Sequence, residues 1–339
     1  MPPSIDLSDP AWFPVEYDQA TDAFRMARLE LDDIGRYPFL DRRMSLDWGG
    51  ATPLAADQVP VLAGPAPGFL FHTAFCGSTV LARALHDPPR AVALKEPRAL
   101  MLLSHATLGL EPGAMGAIGS TVAAGVRLLA RPWSEGGRVL IKPTNAVNRI
   151  MPLLLGAAPE GRALLLHGEL EAFLYSCCRK LPEADTRLRW MAQHLLAGTA
   201  LAERLEIPPG FQPNFVEACV LTWAATIEQY ADALARDETD RLRSLAREAL
   251  DADPVRAVGA CAEWLGLDAA PDSLRARVAG VFGRDAKHAD RDYDAAARAR
   301  QQREMESAHG EMVKQALRWS ERVVLPALSR SPGWKPLAP

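Results

Sequence analysis

No apolar run in this chain approaches the roughly 20 residues that a bilayer span requires, and Met1 to Asp9 lacks the basic start and long apolar stretch of a secretory leader. The two absences predict a cytoplasmic location. Cysteine is scarce and unpaired: Cys76, Cys177, Cys178, Cys219 and Cys261 are odd in number and show no Cys-x-x-Cys spacing. That argues against a disulfide framework and a zinc site, and predicts reduced thiols in the core. An excess of basic charge is missing as well. With 38 Lys and Arg against 42 Asp and Glu, and a formal net charge of -4, no broadly basic face for nucleic acid is implied. An anionic ligand has to be met by local charges. Repeats and low-complexity tracts are also absent, and no signal for an oligomer can be read.

What is present is length and a pattern. The 339 residues suffice for a large buried core. From Gly68 onward four short runs, "GFLFHT", "AVALKEP", "RVLIKPT" and "RALLLHG", are apolar up to a polar end and are separated by stretches that can hold crossover helices. Runs of this kind are buried parallel strands. The predicted fold is α/β, a three-layer P-loop-type parallel sheet with helices on both faces and a helix-rich C-terminal half from about residue 187. Ligands of such sheets sit beyond the carboxyl ends of the strands. Those ends are His72-Thr73, Lys95-Glu96, Lys142-Pro143 and His167-Gly168, each with a lysine or histidine where a ligand can reach it. Residues 1–60 read as an N-terminal arm packed on a main domain of residues 61–339. Within the arm, Asp18 to Asp32 places Phe24, Ala27 and Leu31 on one helical face. Asp285 to Glu306 is highly charged and reads as a solvated helix or a mobile lid.

At the first strand end, "AFCGST" (residues 74–79) joins strand to helix through Gly77, Ser78 and Thr79. Backbone N–H groups at a helix start bind phosphate without side chains. A Gly-Ser-Thr turn alone is better explained by Ser78 or Thr79 capping the helix, and the strand before it shifts the reading toward phosphate. No lysine precedes Ser78, so GxxxxGK[ST] is not matched and an ordinary ATP or GTP hydrolase is disfavoured.

Together, "FLFHTAFCGSTVLARAL", "ALKEPR", "VLIKPTNAV" and "ALLLHGELEAFLYS" resemble the bacterial branch of the P-loop sulfotransferase family. The stretch "RLRSLAREALDADPVRAVGACAEWLGL" is similar to the family's late strand, Asp-Pro turn and helix. "FGRDAKHADRDYD" looks like its C-terminal substrate-side segment, so the similarity covers residues 68 to about 320. The resemblance implies a sulfotransferase that moves a sulfuryl group from 3′-phosphoadenosine-5′-phosphosulfate to a hydroxyl or amine, with no metal. The acceptor would be a small molecule, a glycan or a lipid.

Carried over by residue, Ala74, Phe75, Cys76, Gly77, Ser78 and Thr79 form the cradle for the 5′-phosphosulfate. Ser176, assisted by Arg179 or Lys180, holds the 3′-phosphate. Glu96 is the general base, against the plainer reading of a salt bridge with Lys95 or Arg98, and His72 is the alternative base. Lys142 neutralises the leaving group. Two positions depart from the pattern: Phe75 stands where relatives carry Lys or Arg, and His167 where many carry an arginine. Both remove positive charge. A P-loop phosphoryl-transfer enzyme and a nucleotide-binding protein with a degenerate, non-catalytic site therefore stand as alternatives.

Overall fold

Eight strands carry the architecture of the computed structural model, which describes residues 4–62, 64–110, 115–267, 270–282 and 295–337. The four apolar runs form β4 (Gly68–His72), β5 (Ala91–Lys95), β6 (Arg138–Lys142) and β7 (Ala163–His167), and β8 (Leu242–Ala246) joins them. Their order is β5-β6-β4-β7-β8, and every pairing is parallel. The first strand of the set lies in the middle, so the connections diverge at its carboxyl end. A topological switch of this kind opens a crevice for ligand.

Alternation along the strands builds the two faces. Phe69, Phe71, Val92, Leu94, Val139 and Ile141 enter one core cluster. Leu70, Ala93, Leu140, Leu164, Leu166 and Leu245 enter another, together with Leu81 and Ala82 of the helix Ser78–Ala84. Helices therefore cover both faces of the sheet. The same parity puts His72, Lys95 and Lys142 on the side that carries the helix Ser78–Ala84. A third cluster joins the helices Leu170–Cys178, Asp185–Leu196 and Phe215–Ala235 in the helix-rich half. All five cysteines are free and buried. Among the described residues no helix is long and apolar enough to cross a membrane.

Local chemistry explains several boundaries. Asn214 and Glu217 close the start of Phe215–Ala235 as a reciprocal capping box. The Asp-Pro turn works as its sequence suggests: Asp253 accepts the Arg256 N–H at 3.1 Å, and Pro254 occupies the first helical turn of Pro254–Trp264.

The N-terminal region departs from expectation. Asp18 to Asp32 is not a helix: β1 (Trp12–Asp18) turns back into β2 (Ala23–Arg28), and β3 (Thr52–Ala55) completes an antiparallel sheet. Helical spacing of Phe24, Ala27 and Leu31 was outweighed by two things. Asp18 ties the turn, accepting from the Ala20 N–H at 3.0 Å and from the Thr21 hydroxyl at 3.0 Å. The preceding Trp12, Phe13, Val15 and Tyr17 are strand-forming residues that supply a pairing partner. Phe13, Phe24 and Met26 of this sheet share one core with Phe69 and Phe71 of the large sheet. The segment 283–294, which holds most of "FGRDAKHADRDYD" and part of the charged stretch, lies outside the described residues.

Candidate active site

The turn after β4 is shaped by strain. Ala74, Phe75 and Gly77 have φ of +69°, +53° and +83°, and such a conformation costs a non-glycine residue about 1–3 kcal/mol unless its surroundings impose it. His72 helps impose it. Its Nδ1 accepts the Ala74 N–H at 3.0 Å, and its Nε2 lies 3.0 Å from the Pro143 carbonyl. An accepting Nδ1 leaves the proton on Nε2, which donates to Pro143, so the ring is neutral. A turn that passes from left-handed Gly77 into the right-handed helix turns successive N–H groups to one side, an arrangement that binds anions. Gly77 is the helix N-cap and no side chain closes the helix start, so neither Ser78 nor Thr79 spends its hydroxyl on capping. Cys76 is buried, its thiol against the Leu166 carbonyl at 3.7 Å, and serves the packing of the loop.

Burial, with Lys142 beside it, drives His72 well below the ordinary histidine range. Burial likewise takes His86 and His194 down to about 4, with Lys95 and Arg149 respectively adding to the effect. In the unfolded chain these rings titrate near 6.5. Below that pH the unfolded chain takes up protons that the folded chain refuses, so stability complete above pH 6.5 is lost toward pH 4. Each ring contributes up to about 1.4 kcal/mol per pH unit. The urea midpoint should therefore fall between pH 6.5 and 5, before most carboxylates titrate. A flat midpoint over that interval would contradict the neutral, buried assignment.

One strand over, Lys142 and Glu96 meet. Lys142 Nζ lies 2.7 Å from Glu96 Oε1, the lysine fully buried and the glutamate side chain 11% exposed. Glu96 has φ +56° and donates its N–H to the Lys142 carbonyl at 2.6 Å, which fixes the carboxylate across the ends of β5 and β6. His72 Nε2 is 3.9 Å from the same carboxylate oxygen, so the pair borders the foot of the loop. The salt-bridge partners expected from sequence are different. Lys95 is buried and reaches the Gly35 carbonyl at 3.2 Å, while Arg98 binds Glu16 at 2.6 Å. Burial pulls Lys95 down to about 8, with Arg83 and Lys142 adding to it. Lys95 is thus not open to a ligand, contrary to its position at a strand end.

A cation that the sequence reading passed over stands on the loop. Arg247 follows β8 and begins the helix Arg247–Ala252, anchored by Asp251 Oδ2 at 2.6 Å from its Nε. A Cβ placed on Gly77 would lie 2.8 Å from Arg247 Nη1, which places the guanidinium against the loop, while the φ of +83° is what favours glycine there. The signal was available: Arg247 is the first residue beyond a strand end, where ligands of open α/β sheets bind.

Three solved structures similar to this chain are sulfotransferases. One is the sulfotransferase domain of the curacin biosynthetic pathway, 14% identical, with a TM-score of 0.41, over 66% of this chain and 81% of that one. A second, from Mycobacterium tuberculosis H37Rv, is 15% identical with a TM-score of 0.41, over 69% and 77% of the two chains. A third, from Alicyclobacillus acidocaldarius, is 21% identical with a TM-score of 0.38, over 70% and 100%. No protein-family model and no curated protein matches the sequence.

Phe75 and His167, the two positions where the sequence departs from the family it resembles, have structural partners. Phe75 packs its ring on Phe173 of the helix Leu170–Cys178, with centroids 5.7 Å apart, and so binds the loop to the helical layer. Ser176 is one turn beyond Phe173 and half-buried, and Arg179 is exposed at the helix C-cap. His167 is covered by Trp334, the rings stacked at 4.0 Å. The tail that carries Trp334 pairs with the outer edge of β8 through Ser244 N–H to the Lys335 carbonyl and Leu337 N–H to the Ser244 carbonyl, each 2.8 Å.

Proposed function

We propose that this chain is a sulfotransferase that moves a sulfuryl group from 3′-phosphoadenosine-5′-phosphosulfate to a hydroxyl or amine acceptor. The observation that carries this reading is the Lys142–Glu96 contact of 2.7 Å at the foot of the strained loop. The donor supplies a sulfuryl group already bonded to a good leaving group, a phosphate oxygen. Glu96 takes the acceptor proton as the acceptor atom bonds to sulfur and the bridging S–O bond breaks. Lys142 meets the electron pair left on the phosphate oxygen, a charge that develops only as the bond breaks. The loop amides, with Ser78 and Thr79, hold the 5′ end. Arg247 replaces the positive charge missing at Phe75. His72 acts as a positioning residue, since both of its nitrogens serve backbone groups. Ser176 and Arg179 are assigned to the 3′-phosphate by the family resemblance.

Phosphoryl transfer is the weaker alternative, because the Glu96 carboxylate that a magnesium ion would need is held by Lys142. A second reading, a nucleotide-binding protein without catalysis, is favoured by one observation: the aromatic cover over His167 where a basic group is expected.

Calorimetry with 3′,5′-bisphosphoadenosine, and in parallel with ATP plus magnesium and with GTP, tests the donor. The bisphosphate should bind without metal and raise the melting temperature. Arg247→Ala should weaken it by roughly tenfold to a hundredfold, the worth of a charged hydrogen bond, and Arg247→Lys should restore part. Wild-type protein that binds the magnesium nucleotide and ignores the bisphosphate would rule out sulfuryl transfer. Wild-type binding without turnover on any acceptor would favour the non-catalytic reading.

A further inference from the structure

A cavity of about 340 Å³ opens beside Glu96, a volume suited to a small organic molecule. Glu96 and Thr144 reach it from the strand ends, and the helix Asp185–Leu196 closes the other side. Met101, Trp190 and Met191 give it an apolar wall. Trp190 is held flat by the His194 ring at 4.9 Å and the His105 ring at 6.5 Å, so the wall is set before any ligand arrives.

Three arginines also line this space, and their commitments differ. Arg43 closes on Asp41, with its Nε 2.8 Å from Oδ1. Arg98 binds Glu16, a carboxylate that it shares with Arg42. Glu96, the remaining acid of the lining, is neutralised by Lys142. Arg187 is exposed and, among the described residues, makes no ion pair or hydrogen bond. Its field nevertheless reaches the loop, where it is one of the groups that disfavour a proton on His72. Among the described residues, Arg187 is therefore the lining arginine with no carboxylate partner, above an apolar wall and with the candidate base at the other side.

From this we infer that the acceptor is a small anionic molecule: a hydroxyl or amine that meets Glu96, an apolar or aromatic body on Trp190, and a carboxylate or comparable oxyanion paired with Arg187. This deepens the sulfotransferase reading and rests on it. Arginine suits the role because its planar fork matches an oxyanion with two parallel hydrogen bonds. An uncharged glycan or lipid leaves that exposed guanidinium to water and gains nothing from it.

The test uses a matched pair of probes, 4-hydroxyphenylacetate and its neutral amide 4-hydroxyphenylacetamide. Binding of each to wild type, Arg187→Ala and Arg187→Lys is measured by ligand-observed NMR titration, with 3′,5′-bisphosphoadenosine titrated into the same samples. The carboxylate should bind wild type at least about tenfold more tightly than the amide, the worth of one charge-assisted bond. Arg187→Ala should abolish the preference, and Arg187→Lys should keep part of it. Equal binding of the two probes, binding of neither, or a preference that survives Arg187→Ala overturns the inference. The bisphosphate reports separately on the donor site. Its binding in samples without a carboxylate preference sinks only the anionic acceptor. A carboxylate preference without bisphosphate binding keeps the anion pocket and sinks sulfuryl transfer.

Discussion

If the proposed chemistry holds, Glu96→Gln should lower turnover by roughly a hundredfold or more while the affinity for 3′,5′-bisphosphoadenosine stays within a few-fold of wild type. The substitution preserves shape and leaves an amide oxygen to accept from Lys142, so the 2.7 Å contact persists as a hydrogen bond. What disappears is the capacity to take the acceptor proton in the transition state, which is worth about 10²–10⁴ in rate. A residue that only shaped the site would lower turnover and donor binding together, so the split between the two measurements separates chemistry from architecture. Single-turnover transfer from labelled donor, with calorimetry on the same protein, gives both values. Near-normal turnover would remove Glu96 from the chemistry and leave the Lys142–Glu96 pair as a structural bridge.

Lys142→Met should destabilise the protein by about 3–5 kcal/mol, because it leaves a nearly buried carboxylate without its cation. The lysine is fully buried and its partner side chain is 11% exposed, so solvent does little to relieve the orphaned charge. Against a typical total of about 5–15 kcal/mol, the variant stands close to unfolding. The double variant Lys142→Met with Glu96→Gln should recover most of the stability, since no unpaired charge remains, and should recover none of the turnover. Urea denaturation of the four proteins in the cycle yields the coupling directly. If Lys142→Met unfolds at the wild-type midpoint, the pair carries no stabilising interaction. If the double variant regains turnover, neither residue belongs to the chemistry.

Position 75 illustrates why these charges were misjudged from sequence. The loop has Phe75 where the family that the sequence resembles carries a basic residue, and a lysine there would look like a natural replacement. In the fold the Phe75 ring faces Phe173 and the helical layer. Positive charge reaches the loop instead from Arg247, at the end of a strand that lies two places away in the sheet.

The sequence by itself determined the parallel strands, the loop and the helical half. Each of these has a local cause: an unbroken apolar run for a strand buried on both faces, a glycine at a turn that needs positive φ, and an Asp-Pro cap followed by apolar residues at helical spacing. Such signals lie within a few residues of one another and can be read without knowing the partner. Tertiary structure decided the rest. The hairpin Trp12–Arg28 forms because its two strands find each other and a third at Thr52–Ala55, an outcome that helical spacing within one strand does not contain. Lys95 and Lys142 both end apolar strands and lie opposite each other in register, yet one meets the Gly35 carbonyl and the other Glu96, 46 residues away. Their fates differ because each ammonium, once buried, must take whatever acceptor the neighbouring elements bring within reach. Arg187 and Glu96 share a cavity only because the helix Asp185–Leu196, packed on the helix Phe215–Ala235, brings Arg187, Trp190 and Met191 to the space where Glu96 and Thr144 stand. Local pattern sets what each segment can form, and long-range packing decides which side chains face one another, because burial rewards proximity in space and is indifferent to separation along the chain.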